Sequence, residues 1–295
     1  MNKLLQDIEA GIQDLPIPPD LRKKFALSTK EVHKNLFAAI TGAFAPCFPS
    51  VTATDLVNLS TAVYLGASAV YALDPVLDQQ ASTAENIIYI RESHFLFNEA
   101  TRILSGIFEP GHAFWIKYSQ RIDDHFSEPA LSKNVHTELD TETYRKLLAK
   151  KYSLLFVPLD GLYFLDKQEN SSNYESLQEL MNKFILGYNI PNEIRGISDD
   201  IRCSINNYAL WRLKKLLPEF ELRAEDFNAD ELHKLVYATG LASLLYDETL
   251  HYFSEAKKMA EELNLSLLAN LVNDSMRKAS AEKLQLEEEL NLTGK

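Results

Sequence analysis

Two acidic segments have spacings that can do chemistry. The first is Ala72-Leu73-Asp74-Pro75-Val76-Leu77-Asp78. Its aspartates stand four apart, so on a continuous helix both carboxylates share one face and can bridge a divalent cation. Two carboxylates held together repel, and a metal ion removes that penalty. The same residues also fit a plain helix boundary, with Asp74 capping the next turn and Pro75 at its first position. The second segment is Gly196-Ile197-Ser198-Asp199-Asp200-Ile201-Arg202-Cys203-Ser204-Ile205-Asn206-Asn207. Asp199, Cys203 and Asn207 share a face, as do Asp200 and Ser204. Adjacent aspartates also begin surface helices with no further role, because their charge suits a helix N-terminus. Arg195, Arg202 and Lys214 lie close enough in sequence to meet an anion, and Tyr208 and Trp211 follow in an apolar run.

A third feature is Lys150-Lys151-Tyr152-Ser153-Leu154-Leu155-Phe156. A lysine entering an apolar helix either snorkels to solvent or points its ammonium into a cavity toward phosphate oxygens. Arg91 and Arg102 are weaker cases of the same kind. Glu248 and His251 have the Glu-x-x-His spacing of di-iron bundles, but such a centre needs two of these pairs on helices, and the other occurrence, Glu109-Pro110-Gly111-His112, runs through a Pro-Gly turn signal. There is no glycine-rich phosphate loop and no serine or cysteine nucleophile motif.

The elements that must carry these residues read as helices. Pro16, Pro18 and Pro19 separate a short N-terminal helix from one over about residues 28–43, and Pro46 and Pro49 break the chain again. Helices are expected from about Thr52 to Tyr71, Thr83 to Phe108 and His112 to Phe126. The next begins at Thr141 and carries the lysines, with a kink near Pro158 and Gly161. After a polar break, helical patterning runs from Leu177 to about Ile190 and again from Asn192 to Leu217, and a strongly periodic helix follows Asp230. The last stretch, from Ser275, reads as an outer helix or frayed tail. Roughly ten helices and no strand are expected, because runs of β-branched residues are missing and the ten glycines are scattered. The expected fold is all-α, a single helical bundle without repeats.

The formal net charge of −12 disfavours nucleic acid as the main partner. Two cysteines, Cys47 and Cys203, make no disulfide framework and fit a reducing, cytoplasmic setting. The acidic, amphipathic start lacks a signal-peptide layout. Leu56 to Leu73 is apolar but interrupted by Asn58, Ser60, Thr61 and Ser68, and reads as a core helix rather than a membrane span.

The order of the three features resembles the class I isoprenoid synthases, which include prenyl diphosphate synthases, squalene and phytoene synthases and terpene cyclases. The features are an apolar helix ending in Asp74-x-x-x-Asp78, then Lys151-Tyr152-Ser153-Leu154-Leu155, then Asp199-Asp200. The resemblance spans about Leu56 to Leu250. It implies a helical bundle around a central apolar cavity, with residues 1–50 as a helical extension, 51–272 as the bundle and 273–295 as a terminal helix or tail. It implies a magnesium cluster bridging the diphosphate of an allylic isoprenoid, and ionisation of that substrate followed by cyclisation or condensation. By the same resemblance the metal ligands are Asp74, Asp78, Asp199, Asp200, Ser204 and Asn207, and the catalytic carboxylates are the four aspartates. Lys151, Arg195 and Arg202 meet the diphosphate, and homodimers are common in the family. Tyr64, Phe156 and Trp211 offer aromatic faces to a carbocation. The chain departs from the family pattern at Pro75, at Cys203, at Asn207 and in the absence of paired arginines after Asp78. Those departures keep two alternatives in view: a helical interaction or scaffold protein, and an isoprenoid or lipid binder with a degenerate metal site.

Overall fold

The computed structural model describes residues 2–26, 32–77, 82–133, 140–167 and 170–293. Those residues form thirteen α-helices joined by short 3-10 turns, with no strand among them. They divide into two compact units, one of Met1–Arg121 with Leu154–Glu175 and the other of Ile122–Ser153 with Ser176–Lys295.

The first unit contains α1 (Asn2–Gln13), α2 (Pro19–Lys24), α3 (Val32–Phe44), α4 (Ala53–Leu77) and α5 (Thr83–Ile107). It also holds the start of α6 (Ala113–Ser132) and, later in the chain, α8 (Val157–Leu165). Its centre is α4, which packs along α5 and also meets α1, α3 and α8. By length and hydropathy α4 can cross a membrane, yet Leu59 to Leu65, Ser68, Ala69 and Ala72 are buried inside the protein. The hydroxyls of Ser60 and Thr61 are satisfied within the helix, donating to the carbonyls of Leu56 at 2.6 Å and Val57 at 2.8 Å. This is how a polar residue survives inside a packed core. Ile8, Ile12, Leu21, Phe25, Tyr64 and Leu96 form one cluster, and the Tyr64 hydroxyl donates to the Phe25 carbonyl at 2.8 Å. Tyr64 is thus an ordinary core residue. α5 opens on a capping box, with the Ser82 hydroxyl accepting from the Glu85 amide and Glu85 accepting in return from the Ser82 amide.

A buried ion pair locks α8 to α6. Asp160, 1% exposed, accepts from Arg121 Nε at 2.7 Å, from Arg121 Nη2 at 3.1 Å and from the Tyr174 hydroxyl at 2.6 Å. The Arg121 guanidinium lies 4.8 Å from the centre of the Phe156 ring, so that ring faces a resident cation.

The second unit contains the rest of α6, then α7 (Thr141–Lys151), most of α9 (Ser171–Arg202), α10 (Tyr208–Leu216), α11 (Ala229–Ala238), α12 (Leu241–Glu262) and α13 (Ser266–Thr293). The helix expected to end at Phe126 continues as far as Ser132. The break expected near Pro191 is also absent, and α9 runs through it for 32 residues. Proline removes the bond to the carbonyl four residues back, here that of Gly187. Burial of Ile190, Pro191, Ile194 and Ile197 outweighs that loss, since most helical stability in proteins comes from packing one face. The expected tail from Ser275 is the continuation of α13, which packs on α12. The turn between α12 and α13 places Asn264 at φ 57°, a left-handed position that asparagine tolerates better than most residues.

Gly187 of α9 lies tightly against α12, because a Cβ there would sit 2.8 Å from Phe253 Cδ1. Gly66, in α4, has nothing within 4 Å of the same position. Gly187→Ala is therefore expected to lower stability by about 1–3 kcal/mol through overpacking, whereas Gly66→Ala is expected to raise it by about 0.5–1 kcal/mol. Urea unfolding of the two variants checks both signs.

Candidate functional site

The residues that converge lie on α9, α10 and the end of α7, all within the second unit. Asn189, Glu193 and Asp200 sit four and seven positions apart along α9, a spacing that puts them on one face. α9 then stops in a Schellman motif: the Ser204 amide donates to the Ile201 carbonyl at 3.2 Å and the Ile205 amide to the Asp200 carbonyl at 2.8 Å. Ser204 occupies the left-handed position, with φ 55°, and is exposed. Its place in the fold is set by its backbone.

Three residues on, Asn207 caps α10. Its Oδ1 accepts from the Leu210 amide at 2.8 Å. Its Nδ2 donates to the Glu193 carbonyl at 2.8 Å and to Asp200 Oδ2 at 2.7 Å. Glu193 completes the arrangement, accepting from the Tyr208 amide at 2.8 Å through Oε2 and from Asn189 Nδ2 at 2.6 Å through Oε1. Asn189, 1% exposed, also donates to the Tyr144 hydroxyl at 3.0 Å and accepts from the Tyr152 hydroxyl at 2.8 Å. The Tyr144 ring stacks on Tyr208 with centroids 4.2 Å apart, and Trp211 stacks on the same ring at 5.7 Å.

Burial raises the pKa of both carboxylates. Glu193 is pushed up to about 7, chiefly by loss of water and further by Asp200, while the Tyr208 amide, Lys151 and Asn189 pull the other way. Asp200 is raised by burial as well, against the opposing pull of Asn207 and Lys151. Lys151 ends α7 as an exposed residue, with its ammonium 5.9 Å from the Tyr152 ring centre, and its charge acts on Glu193 and Asp200 together.

Asp199, Arg202 and Arg195 are engaged elsewhere. The Asp199 side chain is 83% exposed and pairs with Arg202 at 3.0 Å, and Arg202 reaches Asp230 at 2.7 Å. Arg195 pairs with Glu282 at 3.0 Å and with Asn192 at 2.6 Å. Asp74 is half-buried inside α4, which continues through Pro75 to Leu77, so the helix boundary that the sequence allowed at Asp74 is not formed. Asp78 lies outside the described residues. Glu248, the half-pair of the di-iron spacing, binds Arg212 at 2.7 Å and the Tyr208 hydroxyl at 3.0 Å.

Among the described residues no group of three or more His, Cys, Asp or Glu side chains is placed to hold a metal ion. Of the residues expected from the second acidic segment, Asp200 and Asn207 are brought together. Asp199 faces Arg202, Ser204 is fixed by its backbone conformation, and both polar ends of the Asn207 side chain are committed to α9 and α10. Glu193 is the residue that motif reading passed over. The signal available in the sequence was its register with Asn189 and Asp200. A separate cleft of about 310 Å³ between α7 and α9 is lined by Arg145, Lys183, Glu179 and Tyr252. Its cations are already paired, Lys183 with Glu179 and Glu255 and Arg145 with the Tyr252 hydroxyl, so it is not taken as the site.

Two solved structures share this architecture over nearly their whole length. Heptaprenyl diphosphate synthase from Staphylococcus aureus superposes with a TM-score of 0.68 at 13% identity, covering 94% of this chain and 96% of that one. Geranyltranstransferase from Thermotoga maritima gives 0.57 at 15% identity, covering 95% and 97%. The chain has the class I isoprenoid synthase fold. No protein-family model matches it, and no curated protein matches its sequence. The all-helical isoprenoid synthase fold expected from the three spaced motifs is therefore the one observed, at an identity low enough that the likeness speaks for the fold alone.

Because the pKa of Glu193 is higher in the folded chain than in water, its proton is held more tightly by the native state. Its contribution is full below about pH 4.5 and is lost as pH rises through about 7. A shift of this size corresponds to roughly 3 kcal/mol across that window. Glu193→Gln is expected to flatten the fall in stability between about pH 5 and pH 8, as read by urea unfolding. An unchanged slope would assign the titration to other groups.

Proposed function

We propose that the protein acts on an isoprenoid diphosphate, and that the reaction is magnesium-dependent ionisation followed by cyclisation or condensation. The observation that carries this reading is the full-length match in fold to two prenyl-chain synthases, joined to a lysine at the end of α7 whose charge acts on Glu193 and Asp200. Neither observation alone suffices.

In this reading Lys151 donates to diphosphate oxygens, a charge-assisted contact worth about 1.5–3 kcal/mol. Trp211, one of the aromatic residues the resemblance sets beside a carbocation, offers a ring that favours a nearby cation. Asp74 and Asp78 would hold magnesium, which would supply the charge that neutralises a leaving diphosphate. Asp199, Arg195 and Arg202 are given no role in it, since each already has a charged or polar partner.

A second reading is favoured by one specific observation: Glu193 and Asp200 are both spent on the start of α10. A chain built so can hold an isoprenoid without cleaving it. Calorimetric titration with a non-hydrolysable farnesyl diphosphate analogue, with and without magnesium, tests the shared part. Binding is expected, and Lys151→Ala is expected to weaken it about 10- to 100-fold. Asp74→Asn is expected to remove its magnesium dependence. Pyrophosphate release from farnesyl diphosphate then separates the two readings, since ionisation predicts release and simple holding predicts none. No binding with geranyl, farnesyl or geranylgeranyl analogues would overturn both.

A further inference from the structure

We infer that the second acidic segment is a carboxylate clasp rather than a metal site: Glu193 and Asp200 grip the Asn207 side chain and the Tyr208 amide, and so fix α10 and the Tyr144–Tyr208–Trp211 stack. The inference is independent of which isoprenoid, if any, the protein handles.

The argument is one of hydrogen-bonding capacity. A metal ligand needs an oxygen lone pair aimed at a shared point, together with its neighbours'. Two of the four donors expected from this segment, Asp199 and Asn207, are withdrawn from such a point. Asp199 is turned out to Arg202 at 3.0 Å, while Ser204 is an exposed residue at the left-handed position that ends α9. Asn207 spends Oδ1 on the Leu210 amide and Nδ2 on Asp200 and the Glu193 carbonyl. Asp200 is left, and its Oδ2 already takes the Asn207 bond at 2.7 Å.

The clasp has a positive purpose. The first amides of a helix have no partner within it, and a buried helix start must find acceptors elsewhere. α10 begins buried, with Asn207 2% and Tyr208 1% exposed. Asn207 Oδ1 meets the Leu210 amide and Glu193 Oε2 meets the Tyr208 amide, so two of those donors are satisfied by side chains anchored on or beside α9. Two carboxylates in such a place are held by donors first, the Tyr208 amide and Asn189 for Glu193 and Asn207 for Asp200, and the charge of Lys151 acts on both. Tyr208 then carries the aromatic stack, with Tyr144 on one face and Trp211 alongside.

The test is manganese uptake by the full chain, followed by the loss of the free Mn²⁺ resonance with inorganic pyrophosphate present. It is run on the wild type and on Asp199→Asn, Asp200→Asn and Asp74→Asn. In parallel, Trp211 emission is followed in Asn207→Ala, against a Trp115→Phe background that leaves Trp211 as the reporter. The clasp predicts that Asp199→Asn and Asp200→Asn bind manganese within twofold of wild type. It also predicts that Asn207→Ala shifts the Trp211 emission and lowers the unfolding midpoint by about 3 °C. A wild type that takes up no manganese also agrees with the clasp, and would count against the magnesium role proposed for Asp74 and Asp78. A loss of five-fold or more in either Asp199→Asn or Asp200→Asn would overturn the inference, as would an Asn207→Ala variant with unaltered emission.

Discussion

A carboxylate taken out of water must be met by donors, and this one requirement organises both units of the chain. In the first unit Asp160 is met by a bidentate arginine and a tyrosine, and Asp166, fully buried, accepts from the Ser50 amide at 3.0 Å. In the second, Glu193 and Asp200 are met by an asparagine pair, a backbone amide and the charge of Lys151. Each such group costs several kcal/mol if left unmatched. The helices that carry the partners are therefore tied in position wherever a carboxylate is buried. The apolar packing around α4 and between α12 and α13 supplies the bulk of the stability, while the carboxylates decide which helix faces which.

That division explains why the fold was legible in the sequence and the site was less so. Apolar periodicity, proline punctuation and scattered glycine point to an all-helical chain, and the order of two acidic segments around a lysine points to the isoprenoid synthase architecture. Both expectations are met. Local signals were weaker where packing overrides propensity: Pro191 lies within a continuous α9 because its neighbours are buried, and α6 extends past Ser127 to Ser132. Neither outcome is set by the residues of the segment alone.

The site shows a different kind of limit. An Asp-Asp pair draws the eye as a metal motif, but adjacent residues on a helix point about 100° apart. Asp199 reaches solvent and Arg202, while Asp200 turns to Asn207. Glu193 lies in no recognisable motif, and what makes it central is register: one turn beyond Asn189 and two beyond it to Asp200, on the face that meets the start of α10. Lys151 was legible as an ambiguous lysine, since its type and apolar setting allow either solvent or a polar cluster. The structure sets its charge against Glu193 and Asp200.

The central claim is that the polar face of α9 is committed to α10. Hydrogen exchange at the Tyr208 and Leu210 amides, followed with and without magnesium pyrophosphate, tests it most directly. The account predicts that both amides exchange slowly, as donors to Glu193 and Asn207 must, and that magnesium pyrophosphate leaves their rates unchanged. Exchange at unprotected rates, or protection that appears only when the metal and pyrophosphate are added, would contradict it.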